Sequence, residues 1–158
     1  MTDSIHYDYY DYSELKGTTF IDIDSAGARM IRSYHTFPDK GPMRGRRRIT
    51  LLPEFTRVKV GDTIRIFHIY EDIKPGGELM TMGPKPVRGV WVDGVCNALP
   101  DKRLTYPGLM MYDGIVRFGP DWDYNFQLTR VTFTTPGEHQ VIWKVWGLKS
   151  NMVRIWVE

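Results

Sequence analysis

Four histidines, one cysteine and several tyrosine–acid neighbours are the residues of this 158-residue chain whose chemistry could do more than build a core. His35 and His68 fall on neighbouring extended segments and could meet in space with Tyr34, Tyr70 or Asp93, a combination suited to moving protons. Joined by Tyr112 and Asp113 from a later loop, they give a candidate catalytic set of His35, His68, Tyr112 and Asp113. A strand histidine is more often a hydrogen-bonded core residue. No nucleophile–base pair, carboxylate pair or phosphate loop accompanies these residues. His6, His35, His68 and His139 lack the spacings of metal ligands and Cys96 stands alone, so neither a metal nor a cofactor is expected. The reading is a non-catalytic binding or self-assembling protein. A small motif-less enzyme of the cyclase or isomerase type, with an apolar pocket between loops, is one alternative, and a carbohydrate-binding module is another.

Residues suited to binding are more numerous. The run Tyr7-Asp8-Tyr9-Tyr10-Asp11-Tyr12 combines rings that bury area at modest entropic cost with negative charge, so Tyr7, Tyr9, Tyr10 and Tyr12 are expected to dock on something. Residues 1–24 hold six acids against one lysine, whereas residues 29–70 hold ten bases against three acids. Within the basic segment Arg44, Arg46, Arg47 and Arg48 could grip phosphates, but no nucleic-acid-binding motif surrounds them. A charged edge strand, or a dock for the acidic arm of this or another copy, is the expectation, and nucleic acid is not. Met80, Met82, Met110 and Met111, with Trp91, Trp122 and Tyr112, suit an adaptable apolar pocket or partner surface, and a small apolar ligand would fit it. A copper(I) site of Met-x-Met with Cys96 is a weak reading. Asp113, Asp121, Asp123 and Asn125 beside Trp122 and Tyr124 have the mixture used by sugar and calcium sites. The spacing lacks the glycine and glutamate of an EF-hand, and turn-forming aspartates are the commoner case.

The elements that would position these residues are strands. Extended segments are expected over 18–23, 30–37, 47–52, 56–60, 62–71, 88–95 and 114–118, with three more in the last 28 residues, broken by Pro136-Gly137 and by residues 147–151. Along 62–71, Ile64, Ile66, His68 and Tyr70 share one face while Arg65, Phe67 and Ile69 share the other, the mark of a strand buried on both sides. No 11-residue window has persuasive helical periodicity, so little helix is expected. The fold class is all-β, a single antiparallel β-sandwich over residues 17–158. An arm at 1–16 precedes it, and long loops at 72–87 and 96–125 should carry recognition. No signal-like or membrane-spanning run is present and the cysteine is single, from which a cytoplasmic protein away from membranes is expected.

Thr135-Pro136-Gly137-Glu138-His139-Gln140-Val141-Ile142-Trp143 and Ser150–Val157 resemble the last two strands of immunoglobulin-like and cupredoxin-like sandwiches. Glu54–Ile64 is similar to early cupredoxin strands. The immunoglobulin resemblance puts His139 where many such domains have a tyrosine bonded back to the corner, which implies a structural role. The disulfide cysteines of that family are absent. Trp143 and Leu148 stand near the cupredoxin cysteine and histidine places, leaving Met152 as the sole match and implying no copper site.

Overall fold

The computed structural model describes residues 4–8, 25–79, 85, 87–96, 117–126 and 128–158. In chain order these form β1 (Ser4–Asp8), helix α1 (Ser25–Ser33) leading into a 3-10 turn (Tyr34–Thr36), β2 (Arg47–Pro53), β3 (Arg57–Val58), β4 (Thr63–Asp72) and β5 (Glu78–Leu79). They continue with β6 (Val90–Val92), β7 (Val95–Cys96), β8 (Arg117–Phe118), β9 (Asp121–Asp123), β10 (Leu128–Thr132), β11 (Gly137–Val145), β12 (Leu148–Lys149) and β13 (Val153–Val157). Sheet A has the order β1-β10-β4-β2 with β9 beside the end of β4, and sheet B the order β3-β13-β11-β6-β7 with β12 beside the end of β11. Among these strands the pairings are antiparallel except the parallel β3–β13 pair, and β5 and β8 form a separate short ribbon.

Strand alternation supplies the core. Ile49, Leu51, Ile64, Ile66, Val131 and Phe133 of sheet A and its exit meet Val90, Val92, Val141, Trp143, Val153, Ile155 and Val157 of sheet B, giving a β-sandwich. β4 is buried on both faces. Phe67 and Ile69, with Leu52 of β2, point away from the sandwich and lie beneath Ile31 and Tyr34 of the helical segment.

That segment corrects the expectation of a strand over 30–37. Gly27, Ile31 and Tyr34 are buried and Met30 and Phe37 half-buried, a stripe at intervals of three and four residues that only a helix turns to one side. Gly27 has no side chain to mark the stripe in the sequence. The segment expected over 88–95 is a hairpin of β6 and β7, turning through Asp93 and Gly94 at φ 51° and 82°, the left-handed pair of a type I′ turn. Within the expected loops, 72–87 carries β5, and 96–125 carries β8 and β9. The segment 18–23 lies outside the described residues.

The unpaired edge of β2 is closed by side chains and an incoming loop. Asn151 accepts from the Leu51 amide at 2.7 Å and donates to its carbonyl at 3.0 Å. A Cβ on Gly41 would stand 1.8 Å from the Ile49 carbonyl oxygen, so only glycine lets the loop approach so closely. At the other edge β1 pairs with β10 from Ser4 opposite Thr132 to Asp8 opposite Leu128. The strand part of the N-terminal arm therefore lies on the edge of sheet A farthest from the arginines of β2.

Candidate functional site

On the outer side of sheet A, the 3-10 turn and β9 enclose an open pocket of about 330 Å³. Tyr34, His35 and Lys40 form one wall, Pro120, Asp121 and Trp122 the other, and Glu71 of β4 the floor. The register of β4 with β2 and β9 explains the convergence. Glu71 is opposite Arg48 on one side and Trp122 on the other, so all three project from the same face.

Glu71 Oε1 accepts from the Tyr34 hydroxyl at 2.5 Å and from Arg48 Nε at 2.6 Å. Burial, then the bond and charge of Glu71, push the Tyr34 hydroxyl far above its ordinary value, so it stays protonated at any physiological pH. Burial works against the Arg48 charge, but its bond to Glu71 and the neighbouring Tyr34 hold its pKa above the usual value. Lys40 Nζ lies 4.4 Å from the centre of the Tyr34 ring, and the ring stacks at a tilt on Trp122, 4.9 Å between centres. Glu71 on the floor is thus held in place by a phenol and a guanidinium, while Trp122, Lys40 and the exposed His35 form a rim. The trio of Glu71, Tyr34 and Arg48 does not exchange protons readily, because the tyrosine holds its proton and the arginine never releases one.

The two candidate acid–base histidines are not together. His35 is exposed at this pocket, whereas His68 lies wholly inside the sandwich on the opposite face of sheet A. There its Nε2 is 2.6 Å from Thr129 Oγ1, and its ring meets Trp143 edge-on at 4.5 Å. Burial lowers its pKa to about 3, so it is neutral and inaccessible to substrate. His139 is structural too: Nδ1 is 2.6 Å from the Asp93 carboxylate and Nε2 is 2.7 Å from the Thr135 carbonyl, joining the β6–β7 turn to the start of β11.

The arginines divide. Arg48 holds Glu71, the floor of the pocket, without lining the pocket itself. Arg44 donates to the Gly147 carbonyl, which ties the start of β2 to the β11–β12 turn. Arg46 and Arg47 are exposed, and Arg47 reaches the Tyr70 hydroxyl. Trp122 packs on Tyr34 and on Tyr124, which is 5% exposed, so these rings make a wedge under the helix and no flat exposed platform. Asp121 accepts from the Trp122 amide, and Asp123 accepts from the Asn125 amide while pairing with Lys85 at 2.7 Å. Trp91 lies on the outer face of sheet B, across the whole sandwich from Trp122. Tyr7 falls in β1. Tyr9, Tyr10, Tyr12, Met80, Met82, Met110, Met111, Tyr112 and Asp113 lie outside the described residues. Among the described residues no group of three His, Cys, Asp or Glu could hold a metal ion, and no helix is long and apolar enough to cross a membrane.

Sequence reasoning passed over Lys40 and Glu71. Their signal is slight: Glu71 ends the strand 62–71 on its outward face, and nothing local shows that a helix covers that face. Neither a family model, nor a curated protein, nor a solved structure matches the chain.

Proposed function

We propose that the protein binds a small ligand without transforming it, in the pocket between the 3-10 turn and β9. The observation that carries this reading is the fixed floor, in which one Glu71 oxygen is held by both Tyr34 and Arg48. A ligand with a small apolar part would contact the half-buried Trp122 and extend a polar group to Lys40 or His35 at the rim. The test is a ligand-observed NMR screen of small aromatic and polar compounds on the full chain and on Lys40→Ala and Trp122→Ala variants. Compounds that bind the full chain, lose affinity in both variants and are recovered unchanged support the reading. Binding indifferent to both substitutions, or turnover of a bound compound, overturns it.

One observation favours self-assembly as a second reading. The N-terminal strand β1 is the outermost strand of sheet A and is joined to β10 by main-chain pairing, a register that β1 of a second copy could occupy equally well. Light scattering after size exclusion, on the full chain and on one lacking residues 1–12, tests it. Loss of an oligomer on truncation supports exchange, and unchanged size refutes it.

A further inference from the structure

The outer face of sheet B carries a second constellation, independent of the helix-side pocket. Glu138, Gln140, Ile142 and Lys144 of β11 point outward by alternation, flanked by Trp91 of β6, Lys149 of β12, and Arg154 and Trp156 of β13. Lys144 and Lys149 are direct cross-strand partners. They are one position removed from the pair that flanks the Trp146–Gly147 turn, where antiparallel side chains stand closest.

Two like charges placed so are repulsive, and the rest of this face avoids that arrangement. Arg154 pairs with Glu138 at 3.2 Å and Arg57 with Glu158 at 3.3 Å. Neither lysine forms an ion pair with any described residue, and Lys144 Nζ instead lies 5.0 Å from the centre of the Trp91 ring. Both lysines line a depression of about 180 Å³ that has Trp91, Ile142 and Met152 as apolar lining and Gln140 as an amide. A ring, an apolar base and two lysines on one rim are complementary to one flat group that ends in a negative charge.

We propose that this depression binds a small aromatic anion, a single ring bearing a phosphate or a carboxylate. The ring lies along Trp91 and Ile142, and the anionic group sits between Lys144 and Lys149 and relieves their repulsion. Gln140 supplies a hydrogen bond at the edge. The volume holds one ring with its charged group.

The test uses the full chain and four probes: phenyl phosphate, benzoate, inorganic phosphate and phenol. NMR shifts of the Trp91 indole and of the Lys144 and Lys149 amides report occupancy. Phenyl phosphate or benzoate should saturate these shifts, and the tighter of the two tells whether phosphate or carboxylate is the better anion. Inorganic phosphate and phenol should each bind about tenfold more weakly or less. A Lys144→Gln/Lys149→Gln variant should lose about tenfold in affinity for the aromatic anion. Lys149→Glu should abolish binding while raising the unfolding midpoint by about 1–3 °C, because it turns a repulsive pair into an attractive one. Inorganic phosphate binding as tightly as phenyl phosphate would mean an adventitious ion only. Equal binding of phenol, absence of saturation, shifts centred on Trp122, or a lowered midpoint for Lys149→Glu would each overturn the proposal.

Discussion

The two outer faces of the sandwich are built from the same alternating strand pattern and end in opposite conditions. On sheet A, the helical segment covers Phe67 and Ile69, and the charged groups beside them are tightly paired, Arg48 with Glu71 and Arg65 with Glu54. On sheet B, Met152 and Trp156 remain 43% and 45% exposed, and the charges stand in water either loosely paired or, at Lys144 and Lys149, opposed. A covered face fixes polar groups because an unpartnered charge there is costly, whereas an open face tolerates an unpaired charge and so keeps it available to a partner.

The largest expected effect comes from opening the covered face. Phe67→Ala, at a side chain 1% exposed, should cost about 3–5 kcal/mol in urea unfolding, whereas Trp156→Ala on the open face should cost about 1 kcal/mol or less. Equal losses would erase the distinction between the faces. Removing one partner of a tight pair is next: Glu71→Ala leaves Arg48 and Tyr34 without their shared acceptor. With side chains 22% and 14% exposed in the Arg48–Glu71 pair, a loss of about 2–3 kcal/mol is expected. Glu138→Ala on sheet B removes a pair whose side chains are 65% and 43% exposed, and about 0–0.5 kcal/mol is expected there.

Acidification probes the core between the faces. His68 has a pKa of about 3 when folded against about 6.5 when unfolded. The unfolded chain therefore takes up the proton first as pH falls. The contribution of neutral His68 is fully present above pH ~6.5 and declines at up to about 1.4 kcal/mol per pH unit down to the folded value. Unfolding free energy should thus drop by about 2 kcal/mol between pH 6.5 and 5, and His68→Gln should flatten that segment of the curve. An unchanged slope in the variant would mean that His68 titrates as if exposed. The smallest expected effect is the rise in midpoint for Lys149→Glu, which sharpens the contrast because it requires the open face to hold an unneutralised pair.

Much of the fold was legible because it depends on short-range pattern. Ile64, Ile66 and His68 alternating with Arg65, Phe67 and Ile69 identifies a strand buried on both sides, and the closing strands follow from their turn residues and β-branched runs. The helix was not legible as a helix, since its buried stripe of Gly27, Ile31 and Tyr34 begins with a residue that has no side chain. Of the site, Trp122 and His35 were picked out by type alone. Their partners Glu71 and Lys40 were not, because an exposed-looking glutamate at a strand end and a loop lysine acquire meaning only from what lies over them.

By itself the sequence determined an all-β chain, its main strands and which side chains of each strand share a face, since alternation is imposed by backbone geometry within a few residues. Tertiary structure alone decided which face the helix covers, and that His35 and His68 stand on opposite sides of one sheet and Trp91 and Trp122 on opposite sides of the sandwich. It also decided that Tyr34 reaches Glu71 across 37 residues and Asp93 reaches His139 across 46. Those outcomes depend on how sheets pair and stack, a non-local choice set by the burial of the whole core, which no local spacing encodes.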